Sequence, residues 1–126
     1  MKPKDLLTVS SLLSMLLLSM HIPDDFVHGF DKGVVNSPYW ILIFVVWLCG
    51  VLLWRERLIG RIIMLLGGIM SIGMPWIHLK GRGYGEEFLK TDGALRFLWT
   101  LVGLGTLGSF VIILSIRELV LKGRDG

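Results

Sequence analysis

Four long apolar blocks, separated by short charged runs, constrain this chain more than any other feature of its sequence. The blocks cover residues 6–22, 38–54, 58–77 and 94–116, and each is close to the roughly 20 residues that a helix needs to cross a bilayer. Because hydrocarbon offers no hydrogen-bond partners, such segments must fold as helices. We therefore predict an all-α protein, a four-helix transmembrane bundle in a single domain over residues 1–126.

The length of the chain limits what it can hold besides these helices. Four spans of roughly 20 residues leave about 46 of the 126 residues for loops and ends, which is too few for a soluble catalytic domain. The sequence has no GxSxG motif, and its single cysteine, Cys49, lies inside an apolar block away from every histidine. We therefore favour a non-enzymatic protein, and the sequence identifies no cofactor.

The first block also has features of a secretory signal peptide, because two lysines precede its apolar stretch. Signal peptidase needs small residues before the cleavage site, and Ser19-Met20-His21 matches that requirement poorly. We expect an uncleaved first helix.

The distribution of lysine and arginine predicts how the bundle is oriented. With four crossings both termini lie on one side, and that side carries eight of the thirteen basic residues. Basic residues are enriched on the cytoplasmic side, so we expect both termini in the cytoplasm and membrane lipid around the bundle. No basic run alternates with stacking aromatics, which argues against nucleic acid as a partner. The eight residues are Lys2, Lys4, Arg55, Arg57, Arg61, Arg117, Lys122 and Arg124.

Histidine and acidic residues gather directly after the first block, in residues 21–28. Four of them carry side chains that bind protons or divalent metals, and their spacing would place them on one face of a helix. Pro23 argues against an unbroken helix, because proline has no backbone N–H and restricts the residue before it. The four residues are His21, Asp24, Asp25 and His28.

A second polar segment, residues 78–87, precedes the fourth block. In the predicted topology it faces the same side as the first segment, so all three histidines converge at the outer membrane face. Three alternatives stay open: a metal site, a proton or ligand site, and polar residues that only mark where the chain leaves the lipid. The second segment contributes the metal candidate His78 and the ligand or loop candidates Arg82, Tyr84, Glu86 and Glu87.

Two sequence patterns indicate close helix packing. Tryptophans recur every seven residues in the second block and form nearly one stripe. Such a stripe favours packing against a helix or a second subunit over stacking on a flat cofactor or a lipid. Small residues four positions apart let helices approach closely in lipid. The interface candidates are Trp40, Trp47, Trp54, Gly67, Ser71, Gly105 and Ser109.

The stretch from His21 to Phe30 resembles the first loop of a group of uncharacterised small bacterial four-helix membrane proteins. Members of that group carry a His-x-x-Asp-Asp loop after helix one and a Gly-Tyr-Gly loop before helix four. In this chain those loops correspond to residues 21–25 and 83–85, so the resemblance covers most of the sequence. It implies a four-helix fold in a bacterial cell membrane, the inner membrane in particular, and it implies no reaction.

Two classes of function follow from these patterns. No carboxylate, lysine or histidine lies at the centre of a block, which argues against coupled transport. The first hypothesis is therefore a non-enzymatic accessory or self-associating subunit of a membrane assembly, partnered by a second copy or by another membrane protein. The alternative is an outer-face metal, ligand or proton site that serves a small transporter or a membrane enzyme.

Overall fold

The computed structural model of the protein describes residues 2–28, 39–81 and 90–124. All regular secondary structure in these ranges is α-helical, which confirms the predicted all-α, four-helix fold. Three of the four helices are long and apolar enough to cross a membrane, so the chain is a helical membrane protein. The helices are α1 (Pro3–His28), α2 (Tyr39–Leu52), α3 (Leu58–Gly81) and α4 (Ala94–Arg124).

Two of the helices continue through a proline. α1 continues through Pro23 to His28, and α3 continues through Pro75 to Gly81, so both helices extend beyond their predicted ends. Each proline removes one backbone donor, and in helical membrane proteins neighbouring groups and small local adjustments compensate for that loss. Residues 21–28 therefore form the last two turns of α1 and are not a loop.

α2 is shorter than the predicted second span. Its 14 residues rise about 21 Å, against a hydrocarbon core of about 30 Å. The backbone N–H groups of Leu53 and Trp54 both bond to the carbonyl of Cys49, at 2.9 and 3.0 Å, and close the last turn of the helix. Within the described residues, three helices have the length of a full span, and α2 is the shorter fourth helix of the bundle.

α4 makes the most extensive contacts in the fold, with α3 and with α1, while α2 lies mainly against α3. α4 is antiparallel to α1, because Arg96 near the start of α4 binds Asp24 near the end of α1. In the middle of α4, Gly108 lies against the backbone of Gly68 on α3. One apolar core joins all four helices, and its buried members are Leu7, Met15, Leu18, Trp47, Val51, Met64, Leu104, Val111 and Leu114.

Charged side chains connect the elements at the end of the bundle that holds the N-terminus. Lys4 Nζ lies 2.8 Å from Glu56 Oε2, and Arg55 Nη1 lies 3.8 Å from Asp5 Oδ1. These side chains are about half exposed, and such ion pairs contribute little to stability. Arg61 is buried instead, and its Nη2 donates to the backbone carbonyl of Glu56 at 2.9 Å. The turn between α2 and α3 therefore lies beside the start of α1.

Candidate functional site

Three aromatic rings lie together at the end of the bundle that is farther from the N-terminus. They come from α1, α3 and α4. His21 of α1 is fully buried. Its ring centroid lies 4.5 Å from that of Phe97 on α4 and 5.0 Å from that of His78 on α3, with the two imidazole planes 81° apart. Phe97 and His78 also meet, with 5.3 Å between their centroids. The residues that we call the histidine site are His21, Asp24, His78, Arg96, Phe97 and Thr100.

A hydrogen bond to α4 fixes the orientation of the His21 ring. Nδ1 of His21 lies 3.0 Å from Oγ1 of Thr100, and Oγ1 in turn lies 2.7 Å from the backbone carbonyl of Phe97. The Thr100 hydroxyl has one hydrogen, and the carbonyl can only accept, so this hydrogen goes to Phe97. Thr100 therefore accepts from His21, whose Nδ1 carries the proton and whose Nε2 is the basic nitrogen.

The second imidazole is held in the same tautomer by its own helix. Nδ1 of His78 lies 2.8 Å from the carbonyl of Met74, one turn earlier on α3, and must donate to it. Nε2 is then the basic nitrogen of His78 as well. Two imidazoles from different helices are thus oriented by oxygen acceptors, and proton uptake by either one takes place at Nε2.

A bidentate ion pair joins α1 and α4 one turn beyond His21. Nε of Arg96 donates to Oδ2 of Asp24 at 2.9 Å, and Nη2 of Arg96 donates to Oδ1. The side chain of Asp24 is only 12% exposed, whereas that of Arg96 is 59% exposed. Bidentate pairing compensates the charge of the carboxylate and aligns the two helices. Solvent at the arginine side weakens the pair relative to a fully buried one.

The structure brings together three of the residues that the sequence singled out, namely His21, Asp24 and His78. Within the part of the chain that the structure describes, no three histidine, cysteine, aspartate or glutamate side chains are grouped in a way that could hold a metal ion. The metal site stays a prediction, because several of its candidates lie outside the described side chains. These candidates, with the predicted loop residues, are Asp25, His28, Arg82, Tyr84, Glu86 and Glu87.

Sequence reasoning missed the α4 half of the site. Arg96 and Thr100 are polar residues four positions apart in an apolar block, which places them on one face of α4. Asp24 and His21 are three positions apart on α1, with the opposite order along the chain. Arg96 meets Asp24 and Thr100 meets His21 only when the two helices are antiparallel and aligned as they are here. The sequence by itself does not reveal that alignment.

Of the tryptophan stripe, Trp47 lies in the interior of the α2–α3 contact. It is almost fully buried, and its Nε1 lies 2.6 Å from where a Cβ at Gly67 would stand. Glycine is required there, because any side chain at this position would occupy the space of the indole. Trp40 and Trp54 are half-buried.

The small residues that we predicted at helix interfaces fall into two groups. Ser71 is buried on α3, and its hydroxyl donates to the carbonyl of Gly67 at 3.0 Å. Gly105 on α4 lies beside α3, since a Cβ at this position would stand 3.5 Å from the ring of Pro75. Ser109 is exposed on the outside of α4.

Comparison with known proteins gives no assignment for this chain, because no family model, no curated protein and no solved structure matches it.

Proposed function

We propose that this membrane protein takes up and releases a proton at the histidine site, in the service of a small transporter or another membrane-bound system. The observation that carries the proposal is the meeting of His21 and His78 edge to face inside the bundle, 5.0 Å apart. Each ring is held by its Nδ1–H, so each is oriented to gain a proton at Nε2. A charge on one ring disfavours a charge on the other, which makes the pair respond as a unit.

The other charged residues of the site compensate each other, so the net charge of the site varies mainly with the two histidines. His21 meets His78 of α3, and the ion pair of Asp24 with Arg96 lies one turn farther along α1. Because Asp24 and Arg96 compensate each other, the charge of the site changes mainly with the imidazoles. Histidine is the side chain that changes charge near neutral pH, and ionisable groups enclosed by transmembrane helices typically mark proton or substrate pathways.

The proposal includes the orientation predicted from the basic residues. The candidate spans Pro3–Asp24, Leu58–Lys80 and Ala94–Leu121 all have one end at the histidine site. With both termini in the cytoplasm, the site lies at the outer face of a cell membrane, and we propose the inner membrane of a bacterium.

NMR titration of the imidazole groups tests this proposal. The chain has three histidines, so a histidine-labelled protein in lipid nanodiscs gives three resolvable ring signals. We expect His21 and His78 to titrate together, in broadened, two-step curves. The substitution His78→Phe should convert the His21 curve to a simple one-site titration, because its coupled neighbour is removed.

The matched control for this titration is Leu79→Phe, at the exposed residue next to His78, which should leave the broadened curves of His21 and His78 unchanged. Independent one-site curves in the unmodified protein, or rings that do not titrate while the protein stays folded, would rule out the proposed proton site.

A second candidate function, self-association as a subunit of a membrane assembly, rests on the outer surface of α4. Ser109 and Thr106 are exposed there, and their hydroxyls donate to carbonyls of the same helix, those of Gly105 and Val102, at 2.8 and 2.9 Å. The side chains at these two positions are small, and their hydroxyls are already hydrogen-bonded. A second helix can therefore approach closely in lipid.

The substitution Ser109→Leu tests self-association, because the larger side chain would keep a second α4 from approaching. We expect the dimer fraction, measured by native mass spectrometry from lipid nanodiscs or mild detergent, to fall by about tenfold, equivalent to about 1.4 kcal/mol. Val120→Leu, an exposed substitution on the same helix, is the control and should leave the fraction unchanged. A protein that is monomeric without substitution would exclude this function.

A further inference from the structure

A row of buried hydroxyls continues from the histidine site along the inside of α1. Ser14 and Ser11 lie seven and ten residues before His21, which places them about 10 and about 15 Å deeper in the bundle. Both serines are fully buried, and neither hydroxyl has a hydrogen-bond partner among the described residues. Ser115 on α4 is also fully buried, and its hydroxyl likewise has no partner in the described ranges.

The register of α1 and α4 indicates that these hydroxyls lie along one contact between the two helices, which we call the seam. The two helices are antiparallel, with His21 bonded to Thr100 and Leu17 against Gly103. Continuing that register toward the N-terminus of α1 places Ser115 near the level of its first turns, beyond Ser11. Leu7 of α1 and Leu114 of α4, at about this depth, belong to the same buried core.

At the end of the bundle that holds the N-terminus, the seam ends at buried charged residues. Glu118 lies one turn after Ser115 on α4 and is 8% exposed, and Arg61 on α3 is 4% exposed. The antiparallel contact of Gly108 with Gly68, continued along both helices, places Glu118 and Arg61 at similar depth. The histidine site and a buried carboxylate thus occupy opposite ends of one polar row.

The partner-less hydroxyls are unusual for serines in helices. Ser19, Ser71 and Ser109 each donate to a carbonyl three or four residues earlier, as helical serines commonly do. A buried hydroxyl that makes no such bond costs about 1–3 kcal/mol. Three such hydroxyls in one seam call for a function, and water is the molecule that usually bridges buried polar groups of this kind.

An apolar layer separates the histidine site from the serines. Leu18 lies between His21 and Ser14 on the buried face of α1, and Leu104 lies one turn after Thr100 on α4. Both leucines are fully buried and belong to the apolar core. Short hydrophobic constrictions of this kind control passage in channels, because they exclude water until the local charge or geometry changes.

We propose that the seam between α1 and α4 is a proton path, from His21 through Ser14, Ser11 and Ser115 to Glu118, with Leu18 and Leu104 as its barrier. This inference rests on the proposed function for its entry site. Imidazolium at His21 gives its Nε2 proton to water. Each water or serine hydroxyl then accepts one proton and releases another to the next, and the carboxylate of Glu118 takes up the last one and releases it to solution.

The chemistry of the row fits a proton better than a metal cation. A hydroxyl can accept and donate at the same time, which is what proton transfer along a row requires. The serines are neutral and offer no carboxylate between the two ends, whereas cations such as calcium or magnesium need several oxygen ligands with compensating charge. The buried hydroxyls therefore supply transfer sites without a site that would trap a cation.

Proton flux into liposomes tests the path. Purified protein is reconstituted with a pH-sensitive dye inside the vesicles, and valinomycin with a potassium gradient supplies the driving potential. We expect acidification well above that of empty vesicles, and a loss of about tenfold in the triple variant Ser11→Ala, Ser14→Ala and Ser115→Ala, because alanine neither accepts nor donates a proton. The same variant should unfold at a higher temperature, since it removes three unsatisfied buried hydroxyls.

The variant Ser19→Ala is the matched control, because this serine is exposed and already bonded to its own helix. Its flux should equal that of the unmodified protein. Flux no greater than in empty vesicles would overturn the path, and so would a triple variant that is more stable and conducts normally. If His21 and His78 titrate as a coupled pair in a protein without flux, the proposed proton site stands and only the path is excluded.

Discussion

Replacing Gly60 with alanine is expected to lower the stability of the protein by at least about 3 kcal/mol, at the upper end of overpacking effects. A Cβ at this position would stand 2.8 Å from the carbonyl oxygen of Gly50 and even closer to the carbonyl of Trp54. These are backbone atoms, and a backbone cannot rotate away as the end of a flexible side chain can. The turn between α2 and α3 would have to open, and α2 would lose part of its packing against α3.

Gly73→Ala is the matched control for this substitution. Gly73 lies on the same helix, and a Cβ there would meet nothing within 4 Å. We expect this variant to be more stable by about 0.5–1 kcal/mol, because alanine restricts the unfolded chain and favours the helix. Both variants are compared by denaturant-induced unfolding in mixed micelles, followed by tryptophan fluorescence. If Gly60→Ala unfolds at the same denaturant concentration as Gly73→Ala, the backbone contact at the turn does not constrain the fold.

The second large effect is expected at the contact of Trp47 with Gly67. Gly67→Ala should destabilise the protein by about 2–3 kcal/mol, because the added methyl group occupies the space of a buried, rigid indole. Trp47→Phe should cost about 1–2 kcal/mol through the cavity that it leaves. No hydrogen bond is lost in this change, since Nε1 of Trp47 has no partner in the described parts of the chain.

The double variant distinguishes packing from other roles of the tryptophan. In Gly67→Ala with Trp47→Phe, the smaller ring leaves room for the methyl group, so the total loss should fall short of the sum by at least about 1 kcal/mol. Unfolding measurements on the four proteins of this cycle supply the coupling energy. Additive effects would show that the two residues do not press on each other, and would favour a role for Trp47 outside intramolecular packing.

Most of the fold could be predicted from the pattern of apolar and charged residues within each segment. Such patterns depend only on the surrounding solvent and on the geometry of the chain. Long apolar blocks predicted the helices, and the structure shows a helix in each of them. One local expectation was wrong: Pro23 argued against an unbroken helix, yet α1 continues past it to His28. One missing backbone donor is a small loss when the rest of a long helix is packed against its neighbours.

The turn before α4 shows a signal that was present in the sequence and was not used. Gly93 adopts a φ of 83°, a conformation that glycine adopts without strain. Its carbonyl accepts from the N–H of Phe97 at 3.0 Å, and the carbonyl of Thr91 accepts from Ala94 at 3.1 Å. The Asp92-Gly93 pair is a common turn sequence, and it places the start of α4 where Arg96 and Phe97 face the ends of α1 and α3.

The amino-acid sequence by itself determined that this protein is helical and embedded in a membrane, because apolar length and charge placement are properties of single segments. It also placed His21, Asp24 and His78 at one end of the bundle, since helix topology brings alternate loops to the same side. Only the tertiary structure decided that Thr100 orients His21, that Arg96 compensates Asp24, and that three serine hydroxyls are buried without partners. These features arise from the register between helices that are about 75 positions apart along the chain, and register is set by packing, which no single segment encodes.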